Sequence, residues 1–118
     1  MVEQLPVIKV MPATKRVCMC GIVARVGSTP CKQPVMQGLK TLEYRGYDSA
    51  GIATLEASGG VQVTKAAGQL SALEGALEAK THEGVVGIGH TRWATHGAAN
   101  TQNAHPHMSG PVALVHNG

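Results

Sequence analysis

Residues 85–91 (VVGIGHT) and 112–115 (VALV) are two runs of nearly unbroken apolar or small residues. A strand with one wet face alternates polar and apolar side chains, whereas a short continuous run reads as a strand buried on both faces. Such strands need cover on two sides, which requires a layered fold. The rest of the chain offers the material. Residues 21–26 read as a strand closed by Gly27-Ser28-Thr29-Pro30, and residues 50–55 and 61–66 as two more, joined as a hairpin across Ser58-Gly59-Gly60. Val35, Met36, Leu39 and Leu42 recur at helical spacing behind Pro34, although Gly38 weakens that helix. Leu70, Leu73 and Leu77 mark a second helix ending near Lys80. Residues 45–49 read as a loop, and residues 93–110 as a polar, His-rich connection. The order strand, helix, strand, strand, helix, strand points to an α+β layered domain. There is no Phe, and Trp93, Tyr44 and Tyr47 are the whole aromatic complement, so the core is aliphatic. Residues 1–19 share no period or turn chemistry with the remainder and read as an extension. Because the chain stops at His116-Asn117-Gly118, straight after an apolar run, the domain over residues 20–118 is expected to be C-terminally truncated.

The ten basic residues are scattered and the net charge is only +3, which argues against a nucleic-acid partner. The longest apolar run is far below the ~20 residues that span a bilayer, so no membrane partner is expected. Leu5-Pro6-Val7-Ile8-Lys9-Val10-Met11-Pro12 is broken by Lys9 and two prolines, and no A-x-A cleavage pattern follows. Cys18, Cys20 and Cys31 are an odd set without framework spacing, which fits a reduced, cytoplasmic compartment.

Three segments carry candidate chemistry. At Met19-Cys20-Gly21-Ile22, removal of everything up to Met19 leaves Cys20 with a free α-amine beside its thiol. A thiol of ordinary pKa near 8.5 is mostly protonated at neutral pH, and an α-amine is the nearest base, so one residue supplies nucleophile and base. Taken alone, a Cys at a strand start is more often a small buried apolar residue. Residues 90–97 (HTRWATHG) end a strand with Arg92, Thr95 and His96 among small residues, suited to grip a carboxylate, since Arg offers a two-pronged donor. A solvated loop with one surface arginine reads equally well. His116-Asn117-Gly118 provides a side-chain amide followed by a glycine N–H, two donors for an oxyanion, although Asn-Gly is also the commonest turn pair. The histidines 90, 96, 105, 107 and 116 raise a metal site. No i, i+4 pair or Cys/His spacing supports one, and the rings of His105 and His107, flanking Pro106, are expected to point apart. No metal or cofactor is expected.

Together these segments resemble the glucosamine-6-phosphate synthase family. Cys20-Gly21-Ile22-Val23 is similar to its mature start, and Leu42-Glu43-Tyr44-Arg45-Gly46-Tyr47-Asp48-Ser49-Ala50-Gly51 to its most characteristic run. His90 to Gly97, Asn103-Ala104-His105-Pro106-His107 and Val115-His116-Asn117-Gly118 follow in family order. The resemblance spans residues 20–118. It implies a glutamine amidotransferase type-2 domain with the αββα sandwich of N-terminal-nucleophile hydrolases. Cys20 resembles the nucleophile that forms a glutamyl thioester with L-glutamine, and Asn117 with the Gly118 N–H resembles the oxyanion hole. Arg92, Thr95 and His96 resemble the set holding the substrate α-carboxylate. Arg45 and Gly46 resemble the loop beside the nucleophile, Trp93 the indole gating ammonia release, and His105 a position near the pocket. All three aromatics fall in these runs, as expected of rings that serve the site rather than the core. The ammonia would convert fructose-6-phosphate to glucosamine-6-phosphate in two isomerase domains, absent here, of an enzyme expected to be a homo-oligomer. The family also uses an Asp downstream of the Asn-Gly pair for the substrate amine, beyond Gly118, and usually lacks a 19-residue extension. Residues 1–19 are therefore read as an upstream start to be replaced by Met19, or as a propeptide cleaved before Cys20. An amidophosphoribosyltransferase-like amidotransferase and a catalytically dead binding fragment are the alternative readings.

Overall fold

The computed structural model describes residues 20–94 and 97–117, Arg45 by its backbone alone. The extension 1–19 lies outside the described residues. The elements run β1 (Gly21–Val26), α1 (Lys32–Thr41), a 3-10 turn (Glu43–Arg45), β2 (Ser49–Leu55), β3 (Val61–Ala67), α2 (Leu70–Glu78), β4 (Val86–Arg92), β5 (His107–Ser109) and β6 (Val112–Leu114). Four strands form one antiparallel sheet in the order β1-β4-β2-β3, and β5 and β6 form a separate hairpin. This is an α+β fold with an antiparallel sheet.

The register assigns each sheet face. Ile52 lies opposite Gly89, Gly87 opposite Arg25 and Thr54, and Gly89 opposite Val23. Directly paired residues point the same way, so Val23, Ile52, Gly87 and Gly89 share a face. Helices α1 and α2 cover that face, α1 over β1 and β4 and α2 over β3. Val35, Met36 and Leu39 of α1 and Leu70, Leu73 and Leu77 of α2 meet Val23, Ile52, Cys31 and Leu42 in one aliphatic core. Leu39, Leu73 and Ile52 are fully buried, each contributing roughly 1.5–3 kcal/mol relative to an exposed side chain. The two glycines of β4 are a packing requirement: a Cβ on Gly89 would strike Val35 and Leu39, and one on Gly87 the Cys31 sulfur. An exposed Lys40–Glu74 ion pair at 2.7 Å joins the helices, a contact of small energetic weight.

The opposite face carries Ile22, Gly51, Ala53, Leu55, Ile88, His90 and Arg92. Residues 98–117 cross it so closely that a Cβ on Gly51 would overlap the carbonyl oxygen of His105 and the Pro106 ring. Cover is partial, and Ile22, Val26 and Leu55 remain exposed.

The hairpin corrects two expectations. Residues 112–115 were expected to be buried on both faces. Instead, among the described residues β6 pairs with β5 alone, and Val112 is 56% and Leu114 45% exposed, while alternation turns Ala113 inward. Strand β5 lies within the connection expected over residues 93–110; three residues are too few for a period to show. The remaining elements fall where periodicity places them, with α1 beginning two residues ahead of Pro34, which its first turn tolerates.

Candidate active site

The site gathers at one end of the sheet. Gly21 opens β1 opposite Thr91, and its N–H donates to Thr91 Oγ1 at 3.2 Å. Cys20 therefore sits one step beyond the pairing, level with Arg92 at the end of β4, and alternation turns it to the face of Ile22, His90 and Arg92. Cys20 is buried, 7% exposed, and both described cysteines, Cys20 and Cys31, are free thiols. Burial pushes the Cys31 thiol up, consistent with an inert core sulfur.

Arg92 is buried at the strand end, with Nη1 donating to the Ala98 carbonyl at 3.1 Å. Asn103 Nδ2 donates to the same oxygen at 3.0 Å, so the segment after β4 folds back around the guanidinium. Asp48 secures the other side. Its N–H donates to the Arg92 carbonyl at 2.8 Å, and its Oδ2 accepts from the Ala94 N–H at 2.9 Å. Between them Trp93 is 38% exposed and lies beside Gly46, whose positive φ of 77° favours glycine.

Behind Arg92 stands a group of histidines. His90, two residues earlier on the same face, is fully buried, and its ring stacks on His105 with centroids 4.2 Å apart and planes 17° from parallel. His107 tilts against His105 at 4.4 Å. The two rings flanking Pro106 therefore meet rather than point apart: the His105–Pro106 peptide is cis, so the segment is not the extended one that would separate them. His90 Nε2 donates to the His116 carbonyl at 2.8 Å, and the His116 N–H donates to His105 Nδ1 at 3.2 Å. Burial, followed for His90 by the charges of His105 and Arg92 and for His105 by those of His107 and Arg92, lowers both imidazoles from 6.5 to about 4. Burial, followed by the charges of Lys65 and Arg92, shifts His107 down as well. These rings are neutral at pH 7. No group of three or more His, Cys, Asp or Glu able to hold a metal occurs among the described residues, and no described helix is long and apolar enough to cross a membrane.

The structure thus brings Cys20, Gly46, Arg92, Trp93 and His105 to one end of the sheet, with exposed Asn117 tethered there through His116. Thr95, His96 and Gly118 lie outside the described residues, as does the Arg45 side chain. One expectation about the rings fails: Tyr47 packs against the core, donates to Glu43 Oε1 at 2.8 Å and accepts the first N–H of α2 from Leu70 at 2.6 Å. Asp48 and Thr91 carry no signal of their own in the sequence, and His90 and His116 suggest no individual role there beyond metal ligation, although both lie in candidate segments. Period-two spacing from Arg92 back to His90 was the available signal for one of them.

No protein-family model matches the chain. Curated relatives do. Over 100 residues, 85% of this chain, it is 57% identical to the glutamine–fructose-6-phosphate aminotransferase (isomerizing) of Gluconobacter oxydans. It is 54% identical to the protein of that name from Rhizobium meliloti and 53% to the one from Caulobacter vibrioides, over the same coverage. The chain spans 16% of the length of each of these relatives. Over that stretch the chain is similar to a fragment of proteins named glutamine–fructose-6-phosphate aminotransferase (isomerizing).

Proposed function

We propose that residues 20–118 are the leading part of the glutaminase unit of such an aminotransferase, a type-2 glutamine amidotransferase whose complete domain is an αββα sandwich. The observation that carries this reading is the β1–β4 register, which sets Cys20 beside the strand end bearing Arg92. With residues 1–19 removed, at Met19 or as a propeptide, the Cys20 α-amine takes the thiol proton, and the thiolate attacks the side-chain amide carbon of glutamine. The resulting oxyanion is met by the Asn117 side-chain N–H and the Gly118 N–H. Collapse transfers the proton to the departing nitrogen and releases ammonia, leaving a thioester that water hydrolyses to glutamate. Arg92, with Thr95 and His96, grips the α-carboxylate; Arg45 and Gly46 flank the nucleophile; Trp93 beside Gly46 gates the ammonia. In the whole enzyme the ammonia aminates fructose-6-phosphate in further domains, within a cytoplasmic homo-oligomer.

The test uses a protein beginning at Cys20 and completed with the remaining length of the Gluconobacter relative. Cys20→Ala is expected to abolish glutamine hydrolysis while leaving ammonia-dependent sugar amination. Asn117→Ala is expected to slow hydrolysis ~10²–10³-fold with little change in glutamine affinity, the usual loss for one oxyanion donor. Glutaminase activity surviving in Cys20→Ala refutes the assignment.

A further inference from the structure

His116 immediately precedes Asn117, and both of its backbone polar groups are held by imidazoles from other parts of the fold. Its carbonyl takes the bond from His90 Nε2 at 2.8 Å, and its N–H gives one to His105 Nδ1 at 3.2 Å. A carbonyl only accepts, so His90 carries its proton on Nε2. A backbone N–H only donates, so His105 Nδ1 is bare and its proton sits on Nε2. The rings stack at 4.2 Å, with His90 fully buried on β4 and the backbone carbonyl of His105 lying against Gly51 of β2. We propose that His90 and His105 are positioning residues: a neutral, tautomer-fixed pair that clamps the His116 backbone and so sets where the chain delivers Asn117 to the oxyanion. The proposal rests on the glutaminase function and deepens its account of the oxyanion donors.

The clamp holds only while His105 is neutral. Protonated at Nδ1, His105 loses the lone pair that receives the His116 N–H. The titratable and charged groups facing His105 are His107 on β5, Arg92 on β4, His116 and Lys65 on β3, and those facing His90 are His105, Arg92 and His107; all are bases, so they repel added charge on the ring each faces. His90 Nδ1 is buried without a partner among the described residues, so a second proton there finds no acceptor. An acid-sensitive placement of Asn117 follows from the geometry.

Two measurements on the completed protein beginning at Cys20 test this. Nitrogen-detected NMR of the imidazoles is expected to find both rings as Nε2–H tautomers at neutral pH. Glutaminase kinetics are expected to show His105→Phe lowering kcat up to ~10²-fold, a usual loss when a reacting group is misplaced, with glutamine KM nearly unchanged. His105→Asn, whose Oδ1 replaces the Nδ1 acceptor and does not titrate, is expected to restore most of kcat and to move the acid limb of the kcat–pH profile. A protonated His105 Nδ1 at neutral pH, or a kcat unmoved by His105→Phe in an active enzyme, overturns the clamp alone. Equal loss in the Phe and Asn variants does the same, because an acceptor at that position would then be irrelevant. A wild-type protein without glutaminase activity removes the function itself, and the role of the clamp with it.

Discussion

Glu56 decides the state of a histidine it does not touch. Burial raises its pKa, but bonds from the Glu83 N–H, the Thr54 hydroxyl and the Gly84 N–H outweigh this and hold it below the usual carboxylate value. A hydroxyl has one proton; Thr54 spends it on Glu56 at 2.8 Å, so it must accept from His82 Nδ1. His82 Nε2 is then bare and accepts from Thr64 at 2.8 Å. This relay joins β2, β3 and the segment before β4, at the end of the sheet away from Cys20. His82→Phe takes the acceptor from the buried Thr64 hydroxyl, while Thr54 keeps its bond to Glu56 and loses only the donor it accepted from. A destabilisation of about 1–3 kcal/mol, the cost of one orphaned buried hydroxyl, is expected from the denaturation midpoint, with the Cys20 end of the fold intact by NMR. An unchanged midpoint contradicts the relay. Nothing in the sequence marked His82, because its partners lie 28 and 18 positions away and only the antiparallel register aligns them. Cys20 and Arg92 stand out as candidates because the residues that suggest their chemistry are neighbours in the chain. Asp48 does not, since its value lies in a bond to Ala94, 46 positions on.

Strand β4 does more for the site than any other element. It is central, its glycines let α1 lie close, and its other face presents His90 and Arg92 in step. The loop leaving it is held by Asp48, through its own N–H to the Arg92 carbonyl and its Oδ2 to the Ala94 N–H. Asp48→Ala frees the start of the segment proposed to hold the substrate carboxylate. The expected result in the completed enzyme is a glutamine KM raised several-fold to tenfold, about 1 kcal/mol or slightly more, the worth of a charge-assisted hydrogen bond. The kcat should fall much less, because the groups proposed to react sit just ahead of β1 and after β6. A fall in kcat at constant KM would place Asp48 elsewhere in the mechanism. The elements were readable wherever a full period fitted between breakers, as in β1, β2, β3, α1 and α2. The hairpin β5–β6 was misread because an apolar run of four residues does not distinguish a strand covered on two sides from one covered by a neighbour on one. Only the pairing of β6 with β5 and the inward turn of Ala113 show which it is.

Across the whole molecule the two sheet faces are held by different means. The helix side is aliphatic, and its polar seam is the His82 relay. The other side is crossed by residues 98–117, which are fastened through His90 and His105. Imidazoles thus join the layers on both faces, and burial favours their neutral form: His90 falls from 6.5 to about 4, His105 likewise, and His82 moves down as well. The sign of the pH dependence follows. Above pH 6.5 each ring is neutral folded or unfolded, and the stability they contribute is fully present. Below that value the unfolded chain takes up protons that the folded chain refuses, so stability declines as pH falls through the window from 6.5 to about 4. For His90, fully buried, the loss is on the order of 3 kcal/mol when complete. Most carboxylates titrate lower, so the upper part of that window isolates the histidines. Denaturation midpoints are expected to be level from about pH 8 to 7 and to drop between about 6.5 and 5. His90→Gln, which keeps a donor toward the His116 carbonyl but does not titrate, should flatten the drop while His82 and His105 retain their share. A midpoint that stays level down to about pH 5 in the unsubstituted protein would mean that these rings accept protons as readily in the fold as outside it, and that neutral imidazoles are not what fastens the layers.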